Sequence, residues 1–122
     1  MEFDPNDRDC PARQLLDRIG DQWTVLIVLS LRDGARRFTE IGAVITGISQ
    51  KVLSQTLRSL VRDGMLTRTA YAEVPPRVEY ALTPLGHNLA ETVTYLDRWA
   101  REHMGEVLAA RAEFDQAKAA AR

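Results

Sequence analysis

A mainly α-helical domain carrying one small β-hairpin is the fold class this sequence predicts, and three observations carry the prediction. Two short helical patterns, over residues 38–45 and 49–63, are separated by the turn Thr46-Gly47. Two segments in which β-branched and aromatic residues alternate with polar ones, Leu66 to Tyr71 and Arg77 to Leu82, flank Val74-Pro75-Pro76. An apolar stripe starts behind Thr83-Pro84 and recurs at three- and four-residue spacing as far as Val107. Helix, Gly-containing turn, helix and hairpin in that order describe a winged helix-turn-helix, which sets one helix in a DNA major groove with the hairpin beside it. Helices at the N- and C-terminal ends are then expected to serve dimerisation.

Taken in order, the acidic residues 1–9 are expected to form a mobile tail. Pro11 suits the first position of a helix capped by Cys10 and running to about Ile19, with Leu15, Leu16 and Ile19 turned inward. Gly20 ends it. From Trp23 to Leu31 nearly every residue is apolar, which predicts a buried central helix. Asp33-Gly34 makes a turn, after which Phe38, Ile41, Val44 and Ile45 outline a short helix with one buried stripe. Ser49 is a suitable N-cap for the next helix, with Ile48 and Leu53 placed as a hydrophobic staple and Asp63-Gly64 as the stop. The hairpin has a stiff tip, because proline cannot continue a ladder.

Thr83 and Pro84 supply an N-cap and a first-turn proline for a long helix whose Leu85, Leu89, Val93, Leu96, Ala100, His103 and Val107 share one stripe. One small domain cannot cover a helix of that length. Leu89, Val93, Leu96, Trp99 and His103 are therefore the expected dimer interface, packed against the same helix of a second subunit with help from the N-terminal helix. The chain is expected to be a single domain over 1–122, with the helix-turn-helix and wing at 38–82, the dimerisation helix at 84–108 and a fraying Ala- and charge-rich end at 109–122.

A chain of 122 residues, 45% hydrophobic and 27% charged, suits one small globular domain whose stability draws on a partner subunit. Its longest apolar run falls far short of the roughly 20 residues a membrane span requires. The acidic start is the reverse of a secretory signal, and the solitary Cys10 can form no intrachain disulfide, so a cytoplasmic location is expected. The net charge of −1 hides an uneven distribution: three Lys/Arg against six Asp/Glu over residues 1–31, eight against five over 32–83, and five against six over 84–122. Local sign governs phosphate contact, because the Debye length is only about 8 Å at physiological salt.

On a wheel of about 100° per residue, Val52, Leu53, Leu57, Leu60 and Val61 occupy one half of the second short helix. Lys51, Ser54, Gln55, Arg58 and Arg62 gather on the other, with no carboxylate among them. Base contacts in a helix-turn-helix come from the N-terminal part of the second helix, which places Gln50, Lys51, Ser54 and Gln55 as readers beside the Ser49 cap, and Arg58 and Arg62 as phosphate contacts. Gln would pair with adenine and Lys with guanine. The alternative is an ordinary solvated face that happens to be poor in acids. Arg77, behind the two prolines, would be delivered to a minor groove or a phosphate; its alternative is a pair with Glu73 or Glu79 across the hairpin.

The sequence also resembles the HxlR-type winged-helix regulators of bacteria, distant relatives of MarR-type repressors. The resemblance is nearly full length. It rests on Cys10-Pro11, Ile19-Gly20 with Trp23, Arg37-Phe38 with Glu40-Ile41, Gly47-Ile48-Ser49-Gln50-Lys51 with Leu53, Leu57-Arg58, Leu60, Asp63-Gly64, the run from Val74 through Tyr80, Leu82-Thr83, Leu85-Gly86 and Trp99. It implies a homodimer that binds a pseudo-palindromic operator in double-stranded DNA and represses or activates transcription. Several members of that family sense oxidants or electrophiles through the cysteine that Cys10 matches. This chain lacks the second, C-terminal cysteine of some members, which leaves an intersubunit Cys10–Cys10 bond, a mixed disulfide or a direct adduct. A helix N-terminus favours a thiolate at Cys10 while Asp7 and Asp9 oppose it, and a purely packing or capping role stands beside the sensing one.

Other classes find less support. Gly42 and Gly47 have the spacing of a phosphate-loop start, but Ile48 stands where the lysine is required. No catalytic fingerprint appears, so an enzyme is not expected, and neither is a cofactor. Two His and one Cys cannot build the usual structural zinc set, so no metal is expected. His87 stands alone, and Trp23 and Trp99 read as core or interface anchors that a small-molecule effector between dimer helices would also use. The remaining competitors are a regulator gated by such a ligand and a winged helix that binds protein.

Overall fold

The computed structural model describes residues 2–121. Five helices and a small antiparallel sheet follow in the order α1 (Pro11–Ile19), α2 (Gln22–Leu31), β1 (Arg36–Arg37), α3 (Phe38–Val44), α4 (Gln50–Arg62), β2 (Leu66–Tyr71), β3 (Arg77–Leu82) and α5 (Pro84–Ala120). The sheet order is β1-β3-β2, and β2 pairs with β3 from Leu66 opposite Leu82 out to Tyr71 opposite Arg77. This is a winged helix-turn-helix.

Helix ends sit where local chemistry puts them. Asp21 caps α2 by accepting from the Trp23 N–H at 2.8 Å, and Ser49 caps α4 by accepting from the Val52 N–H at 3.1 Å. At the start of α3 the Glu40 carboxylate reaches back to accept from the Arg37 N–H at 2.8 Å. Gly64 takes a φ of +79° just past α4, the left-handed turn that a side chain resists.

The core lies where α2, α3 and α4 meet the sheet and the first turns of α5. Ile27, Val28 and Leu31 of α2, Ile41 and Ile45, and Leu53, Leu57 and Leu60 of α4 close on Leu66, Tyr80, Leu82 and Ala90. Each fully buried Leu or Ile contributes about 1.5–3 kcal/mol, so this cluster fixes the orientation of α4. Its opposite face is left to solvent.

Several expectations need correction. Leu16 is exposed because α1 lies on the surface and turns Leu15 toward the core, one position and about 100° away. Val44 is exposed as well; Phe38, Ile41 and Ile45 make the inward stripe, and Ile45 enters the core as the residue ending α3. Helix α2 is not buried all round, since Leu26 faces outward. The hairpin is the larger part of a three-stranded sheet, because Arg36 and Arg37 pair with Tyr80 and Glu79. Helix α5 continues through the segment expected to fray, as far as Ala120.

A candidate nucleic-acid interface

The amphipathic division of α4 is realised in space. Leu53, Leu57 and Leu60 are buried, while Gln50, Lys51, Ser54, Gln55, Arg58 and Arg62 are exposed together on the outer face. Ser49 sits at the head of this face, with its oxygen engaged in the cap and its hydroxyl hydrogen free to donate. Within α4 the outer face holds cations, amides and hydroxyls and no carboxylate, so every one of its charged groups attracts phosphate.

Between α4, the start of α3 and the wing runs a groove of about 740 Å³. Arg37 and Thr39 come from the start of α3, Ser54 and Arg58 from α4, Arg68 from β2, and Glu73 and Arg77 from the wing. Sequence reasoning missed Arg37, Thr39 and Arg68. The signal was faint, consisting of an arginine pair just before Phe38 and one cation among the polar positions of β2. Only the fold brings them to a common wall.

Arg77 does not stand free. Its Nη2 lies 3.1 Å from Glu73 Oε1, its Nη1 lies 3.5 Å from Glu79 Oε1, and its guanidinium carbon sits 3.9 Å above the centre of the Tyr71 ring. The β2–β3 register, which sets Tyr71 opposite Arg77, creates that stack. The alternative weighed for Arg77, a carboxylate pair within the hairpin, is the arrangement present.

Cys10 is buried at 7% exposure, and its carbonyl, not its thiol, meets the first amides of α1: it accepts from Arg13 N–H at 3.0 Å and Gln14 N–H at 3.4 Å. On α5 the expected interface divides. Val93 is 2% exposed and belongs to the interior of its own chain, and Leu89 packs against the same core. Helix α5 packs on α2, because it must first cover the domain that carries it. Leu85, Leu96 and Trp99 remain exposed on a neighbouring stripe. His103 stacks on Trp99 with ring centres 4.7 Å apart, and its Nδ1 lies 2.8 Å from the Trp99 carbonyl, which assigns the proton to Nδ1. No group of three or more His, Cys, Asp or Glu among the described residues is arranged to hold a metal ion. No helix among them is long and apolar enough to cross a membrane.

This arrangement has close counterparts. The profile of the HxlR-like helix-turn-helix family matches residues 18–107. The chain belongs to that family. It is 46% identical over 104 residues to the uncharacterized HTH-type transcriptional regulator YtfH of Escherichia coli strain K12, covering 85% of this chain and 82% of that one. Among solved structures, the transcriptional regulator ytfH from Salmonella typhimurium superposes with a TM-score of 0.87 at 40% identity, covering 91% of this chain and 99% of that one. The redox regulator HypR in its reduced form superposes with a TM-score of 0.75 at 33% identity, covering 81% and 98%. Like its HxlR relatives, this chain is a DNA-binding transcriptional regulator of the helix-turn-helix type.

Proposed function

We propose that this HxlR-family chain acts as a homodimer on a pseudo-palindromic operator, each subunit placing α4 in a major groove. Gln50, Lys51, Ser54 and Gln55 read base edges beside the Ser49 cap, while Arg58 and Arg62 hold phosphates. The observation that carries this reading is the outer face of α4, where these side chains are exposed together with no acid among them. Leu85, Leu96 and Trp99 along α5, with Leu16 of α1 and Leu26 of α2, supply exposed apolar surface for the second subunit, and the half-buried His103 stacks on Trp99 beside it. Charge reversal at Lys51 and Arg58 tests the DNA reading. Binding to the DNA upstream of its own gene should be lost together with most of its salt dependence, whereas a protein-binding winged helix would keep its partner.

A second reading concerns the signal. HypR is a redox regulator of the same fold, and Cys10 is the cysteine available here. The thiol is buried, so an oxidant reaches it only when the start of α1 opens, and modification at that point would disturb the helix beside the proposed dimer surface. The reading requires that diamide release reduced protein from DNA and leave Cys10→Ser protein bound. Release of both, or of neither, would return Cys10 to packing and leave a small-molecule ligand between the dimer helices as the candidate effector.

A further inference from the structure

We infer that the groove between α4 and the wing is a seat for the DNA sugar-phosphate backbone in which Arg37, Arg58 and Arg68 are the phosphate ligands, and that Arg77 braces the wing without touching DNA. The inference rests on the proposed DNA reading and assigns its backbone contacts. Three arginines line one groove from the start of α3, the middle of α4 and strand β2, accompanied by Thr39 and Ser54. Among the described residues none of the three arginines has a carboxylate within ion-pair distance. Phe38, Val61 and Val78 line the groove beneath these groups, and a set of unpaired planar cations and hydroxyl donors above an apolar floor matches a sugar-phosphate chain, whose phosphates meet the cations and whose sugars meet the floor.

Arg77 lines the same groove but is used differently. Both terminal nitrogens face carboxylates, one face of the guanidinium is covered by the Tyr71 ring, and the buried Nε finds no acceptor. A phosphate would have to displace Glu73 and Glu79 from it and would then lie beside two released carboxylates. Kept in place, Arg77 neutralises Glu73, the one acid on the groove wall, and joins the two strands below the proline tip. Arg68 is held apart from this brace by the β-ladder, three positions down β2 and opposite Tyr80. The pairing is what aims it.

The test is the salt dependence of binding by the full-length protein, from 50 to 200 mM, on two duplexes: the region upstream of its own gene and a mixed-sequence duplex of equal length. Each phosphate contact steepens the logarithmic slope by about 0.9, hence by about 1.8 where both subunits bind. Arg37→Gln and Arg68→Gln should each flatten the slope by that amount on both duplexes, as should Arg58→Gln. In binding, each narrows the affinity loss across the salt range by about 12-fold for the two-subunit complex. Arg77→Gln should change the slope by less than half as much, whatever it does to affinity. An unchanged slope in Arg37→Gln or Arg68→Gln, or a flattening by half that amount or more in Arg77→Gln, overturns the assignment while leaving the α4 reading intact. Wild-type protein that binds neither duplex overturns both.

Discussion

Thr83 joins the reading head to the long helix through three hydrogen bonds. Its hydroxyl donates to the Gly64 carbonyl at 2.6 Å and accepts from the Gly86 N–H at 3.0 Å, while its own N–H donates to the Met65 carbonyl at 3.0 Å. The turn after α4 and the first turn of α5 are thereby locked together. Gly86 is required by closeness: a Cβ there would fall 2.0 Å from the Met65 carbonyl oxygen, which is backbone and has nowhere to retreat. Gly86→Ala should therefore destabilise the fold by about 3 kcal/mol, the upper part of the range for overpacked sites. Thr83→Ala, which removes the cap, should cost about 1–2 kcal/mol. Urea unfolding measures both, and a Gly86→Ala variant as stable as the parent would mean that α5 does not sit this close to Met65.

At the scale of the element, α4 divides stability from recognition. Leu57 is fully buried, so Leu57→Ala should cost about 2–5 kcal/mol through lost burial and the cavity left behind. Gln55 is exposed, and Gln55→Ala should leave stability within about 0.5 kcal/mol while reducing discrimination between operator and unrelated DNA. A Gln55→Ala protein with unaltered selectivity would remove Gln55 from the readers. This division was legible in the sequence because one helix carries it, with a 3.6-residue period between a Ser cap and a Gly stop. The caps at Ser49 and Thr83 and both wing strands were legible for the same reason. Strand β1 was not: two residues, Arg36 and Arg37, carry no period, and only their pairing with β3 makes them a strand. Arg58 was legible as a phosphate contact from its place on α4, but Arg37 and Arg68 were hidden, since they meet it only after the sheet has formed. On α5 a single stripe was legible, but two adjoining ones exist. Val93 faces its own core, whereas Leu96 and Trp99 do not, and the sequence period cannot tell which apolar side chains a neighbouring element will claim first.

For the molecule as a whole, the near-zero net charge and the proposed work on DNA are compatible because charge is segregated. The positive excess lies over residues 32–83, where α4 and the groove are, while the N-terminal segment is acidic. Helix α5, at 37 residues, extends for roughly 55 Å at the standard rise and carries exposed Leu85, Leu96, Trp99 and Phe114 along its length. If that surface holds two subunits together, Trp99→Glu combined with Leu96→Glu should yield a folded monomer by sedimentation, with operator affinity reduced at least 100-fold as the second half-site is lost. A double variant that remains dimeric would place the interface elsewhere.

The central claim, that the acid-free face of α4 reads DNA in a two-fold pair, is tested most directly by footprinting the full-length protein on the region upstream of its own gene beside Lys51→Glu/Arg58→Glu protein. The account predicts a footprint from the parent with two protected half-sites about one helical turn, roughly 34 Å, apart, and none from a correctly folded double variant. Equal protection by both proteins, or a single unpaired site, would contradict it.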